Sequence, residues 1–155
     1  MNADAVLNAA KAKGVMIATA ESCTGGLVAA ALTEVPGSSQ VVERGFVTYS
    51  NNAKKELLGV SDSVLDHHGA VSEEVARAMA DGALRQARVD LAVSITGIAG
   101  PGGSEFKPEG RVCFGLAQTG QPTRAETVEF GAQGRTNVRH LARDHALALL
   151  LQALT

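Results

Sequence analysis

An apolar run at residues 15–20 leads into Thr19-Ala20-Glu21-Ser22-Cys23-Thr24-Gly25-Gly26, and an alanine-rich run at 27–32 leaves it. The first run reads as a buried strand and the second as a helix, so the Ser22 hydroxyl falls at a strand-to-helix turn. The first N–H groups of a helix have no partner within it, and that end carries partial positive charge. Such a turn suits an anion or a developing oxyanion. Gly25 and Gly26 let a ligand approach the backbone closely. A serine placed here can bind a phosphate or attack a carbonyl. On this stretch by itself, an ordinary N-cap by Ser22 or Thr24 is the simpler reading.

A second apolar run, at 90–96, is nearly unbroken, as expected of a strand covered on both faces. It opens into Gly97-Ile98-Ala99-Gly100-Pro101-Gly102-Gly103, too glycine-rich for regular structure. Residues 41–50 carry Val41, Val42, Phe46, Val47 and Tyr49 and read as a strand, with Gly45 marking a bulge or a close approach. Strands at 111–119 and 124–130 flank Gly120-Gln121-Pro122 and are expected to pair antiparallel.

Helical spacing appears at 2–13, and the helix after Gly26 ends near Val35, before Pro36-Gly37. A short helix at 53–58 is capped by Asn51 or Asn52, and another starts at Ser61 or Asp62. Ser72 caps a longer one, with Val75, Met79, Ala83 and Leu84 on its inner face. The last, at 135–154, turns Val138, Leu141, Ala142, His145, Ala146 and Leu149 inward. Helices between early strands and a hairpin later predict α/β: one domain, 1–155, folded as a three-layer α/β/α sandwich with a mixed, mostly parallel sheet.

Composition excludes several roles. A net charge of −2 and 3% aromatics, with no Trp, leave neither a basic footprint nor a stacking surface for nucleic acid. No apolar run approaches membrane-spanning length and no signal peptide opens the chain, so no membrane partner and a cytoplasmic location are expected. Cys23 and Cys113 make no disulfide framework. His67 and His68 are adjacent and His140 and His145 five apart, poor spacings for one metal, so neither metal nor cofactor is expected.

Three polar loops follow strand ends, at 22–26, 50–54 and 97–110, and loops so placed can converge on one pocket. Ser22 and Lys54 form a coherent nucleophile and base if burial lowers the lysine from its ordinary pKa of about 10.4. Lys54 reads equally well as a solvated residue beside Lys55. Cys23 reads as packed, Glu21 as a capping group, Lys107 as a solvated loop charge ahead of a lid residue over the substrate, Ser94 as packed and Thr96 as the better site candidate.

Four segments in this order carry a resemblance. They are Thr19 to Gly26 as above, Glu43-Arg44-Gly45-Phe46-Val47-Thr48-Tyr49-Ser50-Asn51-Asn52-Ala53-Lys54, His68-Gly69-Ala70-Val71-Ser72, and Thr96-Gly97-Ile98-Ala99-Gly100-Pro101-Gly102-Gly103. Together they resemble the C-terminal domain of the competence/damage-inducible CinA family. The stand-alone members are nicotinamide-nucleotide amidohydrolases, and the chain resembles that form rather than the longer one with a molybdopterin-binding-like N-terminal domain. The resemblance implies deamidation of nicotinamide mononucleotide to nicotinate mononucleotide and ammonia. It implies Ser22 as nucleophile, Lys54 as base and Tyr49 assisting. The Tyr49 hydroxyl is expected to hold Ser22 and Lys54 in register. N–H groups near Cys23 and Thr24, or from the 97–103 loop, are expected to hold the oxyanion. Substrate contacts are expected from Thr24, Gly25, Gly26, Thr96, Gly97 and Gly100, with Arg135 or Arg139 on the 5′-phosphate. A homodimer is expected from the family's habit. Two other classes stay open: a nucleotide-binding module without turnover, and an interaction protein in DNA uptake or repair, to which the charge balance lends nothing.

Overall fold

The computed structural model describes residues 2–104 and 106–155. Helix α1 (Asn2–Lys13) precedes strand β1 (Ile17–Glu21), and α2 (Leu27–Thr33) leads through a 3-10 turn at Ser38–Gln40 to β2 (Val42–Val47). Then come α3 (Asn51–Leu58), α4 (Asp62–His68), α5 (Glu73–Ala87) and β3 (Leu91–Gly97). The hairpin β4 (Arg111–Gln118) and β5 (Arg124–Glu129) is followed by α6 (Arg135–Leu154). The sheet order is β2-β1-β3-β4-β5. β1 pairs parallel with β2 and β3, while β3–β4 and β4–β5 are antiparallel.

β1 and β3 are buried along almost their whole length because helices cover both faces. On one face Ile17, Leu91, Val93 and Phe114 pack with α1, α2 and α6. On the other Ala18, Ala20 and Ala92 pack with Val75, Met79 and Ala83 of α5 and with Leu58 and Leu65 of α3 and α4. The result is an α/β/α sandwich. The small side chains on the second face bring α5 close to the sheet. A Cβ on Gly115 would meet the Ala76 carbonyl oxygen, which instead accepts the Ser94 hydroxyl at 2.5 Å.

Three sequence expectations shift. β2 stops at Val47 because β1 ends at Glu21 and offers only one further bond, Thr48 N–H to the Glu21 carbonyl. The cap of α3 is Ser50, whose hydroxyl accepts from the Ala53 N–H. Leu141 is 40% exposed, because the inner face of α6 rotates toward Leu147, Leu150 and Leu154. Gly45 is a close approach: a Cβ there would lie 2.7 Å from Thr19 Oγ1.

α5 crosses the end of α3 at Gly82, where a Cβ would lie 2.0 Å from the Leu58 carbonyl oxygen. Alanine in mid-helix gains about 1 kcal/mol over glycine, but overpacking against backbone costs roughly 1–3 kcal/mol or more. Gly82→Ala is therefore expected to lower Tm by roughly 2–6 °C in calorimetry. An unchanged or raised Tm would show that the two helices part without cost.

Candidate active site

The chain leaves β1 to one side for β2 and later returns to the other side for β3. The crevice beyond the carboxyl ends of β1 and β3 is thus the switch point of the sheet, where α/β proteins place ligands. A cavity of about 350 Å³ lies there. Ser22, Tyr49, Lys54, Thr96, Gly97, Gly100 and Arg135 all line it.

Ser22 begins the turn after β1. Its N–H donates to the Ile95 carbonyl at 2.9 Å, which ties the turn to β3. The Glu21 carboxylate turns back onto α2, accepting from Val28 N–H at 2.9 Å, Ala29 N–H at 3.0 Å and the Thr24 hydroxyl at 2.6 Å. The Leu27 and Ala30 N–H groups donate to the Thr24 and Gly26 carbonyls. The first N–H groups of α2 are therefore occupied, and the reading of this helix end as an open anion site is corrected. A carboxylate of the chain itself already holds it.

α3 turns Lys54 inward, where it is 1% exposed, while the neighbouring Lys55 pairs at the surface with Asp62 at 2.7 Å. The Lys54 Nζ donates to Ser22 Oγ at 3.1 Å, the Thr48 carbonyl at 3.0 Å and the Tyr49 carbonyl at 3.3 Å. Ser22 Oγ lies 3.5 Å from that same Tyr49 carbonyl. The register of the pair is thus held by the main chain of Tyr49. Its side chain is 62% exposed, and its hydroxyl accepts from Arg135 at 3.0 Å, which corrects the expectation that this hydroxyl holds Ser22 and Lys54.

Arg135 also donates to the Gly100 carbonyl at 2.6 Å and so bridges two walls of the cavity. Arg139, one turn on, donates from Nε to the Cys23 carbonyl at 3.0 Å and from Nη2 to the Thr24 carbonyl at 3.2 Å. Arg139, Thr24, Gly25 and Gly26, from which substrate contacts are expected, are not among the residues that line this cavity. Thr24 is fully buried by its bond to Glu21, and Gly25 packs against the Arg139 guanidinium. The Thr96 hydroxyl donates to the Ala70 carbonyl at 2.8 Å.

Cys23 borders the cavity, yet its thiol is pushed up to about 12, chiefly by burial. A thiol so held stays protonated near neutral pH and makes a poor nucleophile. Burial also raises Cys113, which sits on β4 against the Thr127 hydroxyl. Among the described residues, no three His, Cys, Asp or Glu side chains gather as metal ligands. None of the helices described is long and apolar enough to cross a membrane.

Asn51 and Ser104 also line the cavity; both fall in the polar loops that follow strand ends, though the sequence pattern assigns neither a site role. Ala70 and Val71 do too, and they lie in the His68–Ser72 segment already noted. Lys107 is half-buried rather than a free surface charge. Its ammonium donates to the His68 carbonyl at 2.8 Å and to the Val71 carbonyl, strapping the glycine-rich loop to the start of α5.

A serine hydroxyl thus stands beside a buried lysine amine, in a crevice of small-molecule size. Residues 2–154 match the family model described as CinA C-terminal domain, and the chain belongs to that family. It is 52% identical over 145 residues to the nicotinamide-nucleotide amidohydrolase PncC of Escherichia coli K12, covering 93% of this chain and 87% of that protein. It is 53% identical over 151 residues to a putative competence-damage inducible protein of Symbiobacterium thermophilum, covering 92% of this chain but 35% of that protein. The chain thus spans about a third of the length of the first curated relatives it matches. In structure it matches the competence/damage inducible protein CihA of Agrobacterium tumefaciens, with a TM-score of 0.94 at 46% identity over 99% of this chain and 93% of that one.

Proposed function

We propose that this chain hydrolyses the carboxamide of nicotinamide mononucleotide, giving nicotinate mononucleotide and ammonia, in the recycling of pyridine nucleotides. The observation that supports the reading most is the 3.1 Å bond from the buried Lys54 amine to Ser22 Oγ, at the floor of the crevice. The name of the Escherichia coli relative, similar along most of its length, supplies the substrate.

In this reading Ser22 Oγ attacks the carboxamide carbon while its proton passes to neutral Lys54. The Cys23 N–H, with N–H groups of the 97–103 loop, holds the oxyanion. Collapse breaks the C–N bond. Lys54 returns the proton to the leaving nitrogen, releasing ammonia and leaving an ester on Ser22. Water then attacks the ester, giving one proton to Lys54, which passes it to the departing Ser22 oxygen. The Thr48 and Tyr49 carbonyls orient the amine throughout.

The 5′-phosphate belongs to Arg135, whose fork already faces the cavity between Tyr49 and Gly100. The direct test is ammonia release from nicotinamide mononucleotide by the purified chain, and none would overturn the proposal. Arg135→Ala is expected to raise KM about tenfold to a hundredfold with kcat less affected, the loss of a charged hydrogen bond to phosphate. Nicotinamide riboside is expected to be a poor substrate. Equal turnover of riboside and nucleotide would take the phosphate role from Arg135.

A further inference from the structure

Arg139 stands one helical turn from Arg135 on α6, yet its guanidinium faces the turn that carries Ser22. That turn is closed by the Gly25 N–H on the Ser22 carbonyl at 3.0 Å. Its two central residues are Cys23 and Thr24, and Arg139 holds the carbonyl of each. A peptide unit is planar, so fixing a carbonyl also fixes the N–H of the same unit on its opposite side. With the Ser22 carbonyl held by Gly25 and the next two by Arg139, three successive peptide units have set directions. Arg139 sets the last two of these units directly, and the Gly25 N–H, carried by the second of the two, sets the Ser22 carbonyl and with it the Cys23 N–H; Ser22 and Cys23 are the residues of this turn that line the cavity.

The contact is built for a fork rather than a point charge. Two donors from one planar group meet two adjacent carbonyls, which a lysine ammonium cannot reproduce in the same geometry. Gly25 makes room for it, since a Cβ there would stand 3.3 Å from Arg139 Nη2. The charge of Arg139 also reaches Cys23, where it opposes the effect of burial on the thiol.

We infer that Arg139 is a positioning residue for the deamidation, clamping the Ser22 turn so that nucleophile and oxyanion donor are aligned before substrate arrives. The inference rests on the proposed amidohydrolase reading. It departs from a phosphate role for this arginine, because the Nε–Nη2 edge of its guanidinium is taken by two main-chain carbonyls and Arg139 is not among the residues that line the cavity.

The experiment compares Arg139→Lys and Arg139→Gln with the wild type on nicotinamide mononucleotide and on nicotinamide riboside. Measurements are made well below each variant's Tm, with the folded fraction taken from circular dichroism. For the nucleotide, kcat is expected to fall about tenfold to a hundredfold, the size of effect that small misplacements of reacting groups produce, while KM stays near the wild-type value. Lysine is expected to restore only part of the rate. The kcat/KM of the riboside is expected to fall by the same factor as that of the nucleotide. In a Ser22→Ala background, Arg139→Gln is expected to leave nucleotide binding by calorimetry unchanged. Raised KM for the nucleotide alone would make Arg139 a phosphate ligand and overturn the inference. So would unchanged kcat, or a loss that merely follows the folded fraction. Should the wild type release no ammonia, the amidohydrolase reading falls and takes the inference with it. An active wild type with indifferent Arg139 variants strikes the inference alone.

Discussion

Ser22→Ala is expected to abolish ammonia release from nicotinamide mononucleotide, by a factor on the order of 10⁶ if this serine behaves as nucleophiles of other serine hydrolases do. Nucleotide binding is expected to survive, because the walls formed by Thr96, Gly97, Gly100 and Arg135 do not depend on the hydroxyl. The neighbouring thiol supplies the control. Cys23, held at about 12 chiefly by burial, is protonated under assay conditions, so Cys23→Ala is expected to keep most of the activity. Mass spectrometry of enzyme quenched during turnover is expected to find the acyl adduct on the peptide containing Ser22. Full activity in Ser22→Ala would assign the attack to another group and remove the covalent route.

Lys54→Arg is expected to be nearly as damaging as Lys54→Ala, each by about 10²–10⁴ in kcat, the usual contribution of a general base. Arginine keeps the charge and can still donate to the Thr48 and Tyr49 carbonyls, but it cannot lose a proton near neutral pH. If Lys54 served only as a structural donor to those carbonyls, arginine would recover part of the rate. The pH profile gives a second reading of the same question. The base must be neutral to take the Ser22 proton, so kcat/KM is expected to fall as the pH is lowered and the amine is protonated. Activity in Lys54→Arg comparable to the wild type would exclude this lysine as the base.

Local chemistry made much of the site legible in one dimension. Apolar runs followed by glycine-rich turns announce strand ends, and strand ends of a covered sheet are where ligands sit. That logic selects Ser22, the 97–103 loop and the loop after β2 from the sequence by itself. Glu21 as a cap could be read too, since a carboxylate at a helix start complements the dipole. Its consequence could not. By occupying the Val28 and Ala29 N–H groups it closes the anion site that the same turn advertises.

What the chain determined by itself is the order of strands and helices and the turn that presents Ser22, because periodicity and turn chemistry act over a few residues. The tertiary structure decided between chemically equal neighbours. Lys54 and Lys55 are adjacent and identical, and only the docking of α3 sends one to Ser22 and the other to Asp62. Arg135 and Arg139 share a helix and nearly a face, yet one bridges Tyr49 and Gly100 while the other grips Cys23 and Thr24, which precede it by 116 and 115 positions. Tyr49 contributes its carbonyl where its hydroxyl was expected. Each of these choices depends on how one element is rotated and seated against another, and such distant pairings leave no pattern in the local sequence.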